Sequence, residues 1–210
     1  MNDPGQKILA ECVERYTTLH SYQDHGVVRT WFMPKAEPHE LNFSTWFMKP
    51  NFFRFEFTSP HPFPPLRHIV TKHICGFDGT HAYSVMQLPE ETATIKMEKT
   101  FELAVAGATG ISGGSVHTIA RLLFPSARGF SLNKLTDVKL IQEVEIENIL
   151  CYELTGVNKK GAQRVLWIGK SDLLLRKFSE RVVEFPSEEI RSAIVIDADL
   201  GSGIFTAPQP

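Results

Sequence analysis

Between Val105 and His117 the chain carries Gly107, Gly110, Gly113 and Gly114 together with Ser112 and His117, the ingredients of two enzyme motifs. Gly107, Gly110 and Gly113 have GxxGxxG spacing, which lets a backbone approach a pyrophosphate at a helix N-terminus. That fingerprint opens a run of βαβ units. Here the neighbouring segments are extended and joined by short turns, which only antiparallel strands allow. Gly110-Ile111-Ser112-Gly113-Gly114 also fits the G-x-S-x-G nucleophile elbow. A hydrolase of that kind needs an acid and then a histidine further along. His117 is the last histidine of the chain and lies too close to Ser112 to follow a distant acid. A glycine hinge joining two short helices accounts for the segment better than either motif.

His68, His73 and Cys75 raise the question of a metal. On a regular strand His73 and Cys75 share a face and His68 takes the other. Zinc needs three or four convergent ligands, and no acidic ligand or second pair stands nearby, so no metal is expected. Cys12, Cys75 and Cys151 are odd in number and widely spaced, which suits buried thiols rather than a disulfide framework. His81 beside Asp78-Gly79 reads as a strand-edge residue, and Glu143, Glu145 and Glu147 read as a solvated sheet face. No nucleotide or other cofactor is expected.

A different kind of site is suggested by Lys49-Pro50-Asn51-Phe52-Phe53-Arg54-Phe55-Glu56-Phe57. Side chains alternate along a strand, so Phe53, Phe55 and Phe57 share a face. Such an aromatic face is either core or the wall of an apolar cavity.

The elements that would position these residues follow from periodicity. Ile8, Leu9, Cys12, Val13, Tyr16 and Leu19 mark an amphipathic helix, started by Asp3-Pro4. Strands are expected at 27–33, 41–48, 52–58, 67–75, 82–87 and 92–99, with a turn over 34–40 and a proline-rich loop over 59–65. Leu41, Phe43, Thr45 and Phe47 fall on one face. Helices are expected at 101–106 and 116–124, the second with Ser115 as N-cap, a stripe of Val116, Ile119, Ala120 and Leu123, and a stop at Pro125. Further strands are expected at 138–146, 149–156, 164–168, 173–183 and 194–196. The pattern predicts one α+β domain over 1–210, a large curved antiparallel sheet with helices on its concave face and a helical lid insert at about 101–127.

Composition is consistent with this. Of 210 residues, 42% are hydrophobic and 22% charged, enough to bury a core without disulfides. A formal net charge of −2 gives no footprint for nucleic acid. No apolar run reaches the roughly 18 residues of a membrane span. The N-terminus shows neither a basic nor an apolar signal region. This fits a cytoplasmic protein, or a periplasmic or cell-envelope one whose leader has been removed.

The motifs, taken in order, resemble those of the periplasmic lipoprotein-carrier superfamily, the LolA/LolB-like proteins of outer-membrane lipoprotein sorting. Lys49-Pro50-Asn51-Phe52-Phe53 is similar to the family's R-P-N-x-F stretch. Phe77-Asp78-Gly79 stands where the family has a DG turn. Leu166-Trp167-Ile168-Gly169-Lys170 and Leu173-Leu174-Leu175-Arg176 are similar to its LWID and LPLR strand pair. Leu19-His20-Ser21-Tyr22 looks like its junction between first helix and first strand. The resemblance covers nearly the whole chain. It implies an incomplete β-barrel closed by a helical lid over an apolar cavity that takes lipoprotein acyl chains. Phe53 would stand at the cavity mouth. Lys49 takes the place of the arginine that latches the lid, without arginine's planar fork. A cofactor-free enzyme of violacein synthesis resembles the same fold, so fold alone does not decide function.

The expected protein is a non-enzymatic carrier of a lipid, an acyl chain or another hydrophobic ligand, with an envelope protein as a possible further partner. Phe43, Phe47, Phe53, Phe55 and Phe57 would line the wall, and Val116, Ile119 and Leu123 would face it from a lid hinged at Gly107, Gly110, Gly113 and Gly114. One alternative is a cofactor-independent enzyme in the same cavity with His117 or His81 as acid/base. Another is a structural envelope protein that fills the cavity with its own side chains.

Overall fold

A computed structural model describes residues 3–33, 37–61, 63–125, 132–181 and 186–208. Parts of three expected elements lie outside these: 34–36 of the turn, 126–127 of the insert and 182–183 of a strand.

Helix α1 (Pro4–Thr18) opens the chain. Asp3 caps it, its Oδ1 accepting from Gly5 N at 2.8 Å and from Leu140 N at 3.3 Å. A Cβ on Gly5 would lie 2.7 Å from Leu140 N, so glycine is what allows helix and strand backbones to touch there. Six strands follow as a meander: β1 (Ser21–Thr30), β2 (His39–Met48), β3 (Phe52–Pro60), β4 (Val70–Asp78), β5 (Ala82–Gln87) and β6 (Thr94–Glu98). Helices α2 (Phe101–Thr109) and α3 (Ser115–Leu123) come next. The chain ends in β7 (Thr136–Ile146), β8 (Ile149–Val157), β9 (Gln163–Gly169), β10 (Leu175–Arg181) and β11 (Ser187–Ile196).

All eleven strands form one antiparallel sheet in the order β6-β5-β4-β3-β2-β1-β11-β10-β9-β8-β7. The last strand thus returns to pair with the first, Tyr22 opposite Ile196 and Thr30 opposite Ser187. The sheet does not close: β6 and β7 are its edges. Turn chemistry sets the hairpins. Gly79 sits at φ +93 between β4 and β5, where the Asp78 carboxylate accepts from the amides of Thr80 and His81. Glu147 and Asn148, both at positive φ, make the two-residue turn between β7 and β8.

The core lies on one face of this sheet, under the three helices. Helix α1 reaches across to β10, where Tyr16 Oη accepts from Leu175 N at 3.2 Å. Helix α2 packs over β4, β5 and β6, and α3 packs between α1 and α2. A smaller cluster of Ile74, Tyr83 and Val85 occupies the outer face. The chain end covers part of that face, Tyr83 Oη donating to Phe205 O at 2.7 Å and Arg54 to the carbonyls of Ile204 and Thr206.

Three local expectations change. The first strand is 21–30 rather than 27–33, because Tyr22 and Asp24 already face inward and pair with β2 and β11. Strand β11 begins at Ser187, seven residues before the expected 194. Ser115 is the first residue of α3 and not its cap: Gly114, at φ +91, holds the cap position without a side-chain bond. The Ser115 hydroxyl donates instead to Ser112 O at 2.8 Å.

Candidate functional site

Register brings the aromatic residues together. Phe47 pairs with Phe53, Thr45 with Phe55 and Phe43 with Phe57 across β2 and β3, and β4 continues the layer with Phe77, Cys75 and His73. Phe43 and Phe55 stack at 5.3 Å between ring centroids, and Phe57 stacks on His73 at 4.8 Å. The helical segment adds two rings from its ends. Phe101 meets Phe53 edge-on at 5.2 Å, and Phe124 meets Phe47 edge-on at 5.2 Å and Phe53 at 5.9 Å. Edge-to-face pairs at these separations are the favoured aromatic geometry. Phe43, Phe47, Phe53, Phe55 and Phe57 are all buried, as are Val116, Ile119 and Leu123 of α3. In this state the helices lie directly on the aromatic wall.

The glycine segment divides between two roles. Gly107 lies inside α2 and Gly110 has helical dihedrals at its C-cap. Gly113 and Gly114 have φ of +61 and +91, a region glycine reaches without the cost other residues bear. The change of direction between α2 and α3 is therefore made at those two residues. Ser112 is fully buried, its Oγ donating to Thr109 O at 3.2 Å, which is not the exposed posture of an elbow nucleophile. Lys49 is exposed and donates from Nζ to Thr17 O at 2.8 Å, at the C-terminal end of α1. The contact it makes is with that helix.

A group that the sequence reading did not single out touches α3 from below. Arg191 of β11 is buried to 1% exposure. It donates from Nη1 to Asp24 Oδ2 at 2.5 Å and from Nη2 to Ser115 O at 3.1 Å, and it pairs with Glu189. Its guanidinium lies 4.8 Å from the Phe43 ring centroid, a cation–π distance. Tyr22 Oη donates to the same Asp24 oxygen at 2.6 Å. Gly26 makes room: a Cβ there would overlap the Phe43 ring. Burial opposes the charge on Arg191, yet Glu189 and Asp24 hold its pKa well above the usual value. Burial pushes the Glu189 carboxyl up, against the pull of Arg191. The arrangement fastens the start of α3 to the centre of the sheet by a backbone carbonyl.

Two clefts flank the α2–α3 connection. The larger, of about 450 Å³, opens where β1 and β3 end and β2 and β4 begin; His39, Ser59, His61, Thr71 and His73 line it, with Gly110, Ile111 and Gly113 opposite. Burial lowers the pKa of His39, helped by the Arg67 charge, and burial lowers that of His73. A depressed histidine pKa gives stability that is present above the unfolded value near 6.5 and is lost as pH falls. Folding stability is therefore expected to decline as pH drops from 7 towards 5. A His39→Gln, His73→Gln variant should show a shallower decline in urea unfolding at stepped pH. The smaller cleft, of about 200 Å³, lies on the other side of Gly113, with His117, Arg164, Glu180 and Glu189 among its walls.

The remaining residues weighed for chemistry stand apart. His81 sits at the opposite end of β4 and β5, its Nδ1 3.6 Å from Asp78 Oδ2. His68 lies before β4 begins. Cys12, Cys75 and Cys151 are buried free thiols, and burial pushes the Cys12 thiol up to about 12, far from a reactive thiolate. No group of three or more His, Cys, Asp or Glu placed to hold a metal occurs among the described residues.

This is an open antiparallel sheet with a helical cover over an apolar layer, and solved structures share it. LprF from Mycobacterium bovis aligns with a TM-score of 0.61 at 12% identity over 99% of this chain and 98% of its own. The lipoprotein LppX from Mycobacterium tuberculosis aligns with a TM-score of 0.54 at 12% identity, over 96% of this chain and 100% of its own. A LolA superfamily protein from Nitrosomonas europaea aligns over 97% of both chains with a TM-score of 0.41 at 15% identity. No family profile matches the chain, and no curated protein matches it. The fold is the LolA-like one that the sequence motifs implied. Among the described residues no helix is long and apolar enough to cross a membrane.

Proposed function

We propose that residues 1–210 act as one domain that carries a hydrophobic ligand, a lipid or a lipoprotein acyl chain, in the periplasm or cell envelope. The observation that carries this reading is the junction between sheet and cover. Phe101 and Phe124 meet Phe47 and Phe53 through ring contacts. The two helices behind those rings are joined through Gly113 and Gly114 at positive φ. An apolar interface next to a glycine turn can part and re-form at low cost, and apolar walls supply most of the affinity in ligand pockets. In the open state Phe43, Phe47, Phe53, Phe55 and Phe57 would meet the ligand, and Val116, Ile119 and Leu123 would close over it. Lys49 would act on α1, steadying the element beside the lid.

Hydrogen exchange tests the movement. Amides of α3 should exchange faster than those of β3, and slow when a hydrophobic ligand is added. Equal protection that no ligand changes would make α3 a fixed core helix. Lipid extraction and native mass spectrometry of the purified protein should in addition recover a bound hydrophobic molecule.

A second reading is favoured by His117, which lines the smaller cleft with Glu180 and Glu189. A cofactor-independent enzyme would use His117 there as acid/base, and substitution of His117 would abolish turnover without changing ligand uptake.

A further inference from the structure

The geometry points to a headgroup site at the larger cleft, for a single-chain amphiphile whose head is an anion, a carboxylate or a phosphate monoester. It rests on the carrier reading and adds which end of the ligand binds where.

The inward positions of the strands change character at this end of the sheet. Thr30, His39, Ser59 and Thr71 form its outermost inward row, Thr30 paired with His39 and Ser59 with Thr71. His39 Nε2 lies 3.2 Å from Ser59 Oγ. One step inward, the layer is Leu41, Phe57 and His73, with the His73 ring stacked on Phe57. His61 reaches the cleft from the β3–β4 connection. Its Nδ1 accepts from Phe63 N at 3.1 Å, which leaves the proton of the neutral ring on Nε2. Imidazoles and hydroxyls thus stand at the outer end, and the aromatic layer begins directly behind them. Phe32 and Ile111, 53% and 51% exposed, add an apolar rim.

Charge decides the class of head. No Asp or Glu is among the described residues lining this cleft, whereas Glu180, Glu188 and Glu189 line the smaller one across Gly113. The groups facing His39 are Ser59, the Phe32 ring at 5.9 Å and the Arg67 charge, with His61 and His73 on the same walls. Arg67 is paired with Glu37 at 3.6 Å, at a fully solvated carboxylate. A cationic head would find no counter-charge here. An anionic head would accept from several imidazole N–H groups, and charge-assisted hydrogen bonds are the strong ones. It would also favour the protonated rings, so binding should take up protons near neutral pH. A volume of about 450 Å³, in front of a packed aromatic layer, suits one chain. Gly110, Ile111 and Gly113 form the facing wall, so a head bound here would touch the connection on which α3 turns.

Calorimetry on the intact protein tests this, with laurate, dodecyl phosphate, monolaurin and dodecyltrimethylammonium below their micellar concentrations, and with acetate and inorganic phosphate alone. Laurate and dodecyl phosphate should bind at least about tenfold more tightly than dodecyltrimethylammonium, a difference of about 1.4 kcal/mol. Their binding heat should vary with the ionisation heat of the buffer, as proton uptake requires. In a His39→Gln, His73→Gln variant shown by circular dichroism to be folded, that preference should fall below about twofold. Equal binding of all four dodecyl compounds would overturn the headgroup site and leave the carrier reading standing. Binding of none would overturn both. Acetate or phosphate binding as tightly as laurate would show an anion site without a chain, and would overturn the amphiphile.

Discussion

Arg191→Met is expected to lower the unfolding free energy by about 3–5 kcal/mol, the usual cost of removing one partner from a buried ion pair. The substitution strands the Asp24 carboxylate, which is fully buried and keeps only the Tyr22 hydroxyl from its present partners. It also frees the Ser115 carbonyl from its bond to the guanidinium. Urea unfolding gives the first effect. Hydrogen exchange gives the second, as faster exchange over α3 than over β3. The two effects separate in a triple variant, Asp24→Leu with Glu189→Met and Arg191→Met. Replacing a whole buried ionic group by apolar residues is often neutral or stabilising. Here Asp24 Oδ1 and Arg191 Nε lack hydrogen-bond partners among the described residues, which weakens the group's net contribution. The triple variant should therefore regain most of the stability while α3 stays loosely held. If it is no more stable than Arg191→Met, the cluster contributes more than its ion pairs, and the fastening of α3 is not its main effect.

Phe53→Ala should cost about 3–5 kcal/mol, the range for truncating a buried phenylalanine. Phe53 has no exposed surface and holds Phe101 and Phe124 against the sheet. The loss is cavity as well as transfer energy, because the neighbouring rings are fixed by their own strands. Thermal unfolding measures it. In a carrier, the same variant should also take up a small apolar probe more readily, since apolar cavities stay dry and accept such guests. A loss of stability with no gain in probe uptake would place Phe53 in plain core.

The sequence made the aromatic half of this molecule legible. Phe53, Phe55 and Phe57 alternate, and Pro50-Asn51 and Asp78-Gly79 punctuate the meander. Those are local signals, and β2 to β5 follow them. Strand β11 carried no such signal. Ser187-Glu188-Glu189-Ile190-Arg191 reads as a polar stretch, because its inward residues are an ion pair rather than hydrophobes. Only pairing with β1 and β10, far apart in the chain, reveals which of those charges is inside. Asp24 was hidden for the same reason. The ring contacts of Phe101 and Phe124 were equally out of reach, since they flank the helices rather than lie on their stripes. The cleft histidines come from three segments, and single spacings within one strand do not show that register joins them.

A sheet that stops short of closure keeps two rims of unpaired backbone, and each is a template on which a second chain can add a strand. Strand β7 has Lys139, Glu143 and Glu145 exposed along its length, and its pairing with β8 slips twice, between Thr136 and Lys139 and between Leu140 and Gln142. Charges and bulges of that kind discourage edge-to-edge growth. Strand β6 is short, Thr94 to Glu98, with Lys96 paired to Glu98. The openness that leaves this sheet free to accommodate a guest is thus matched by margins that resist self-assembly, which keeps a protein with so aromatic an interior from becoming the seed of its own aggregate.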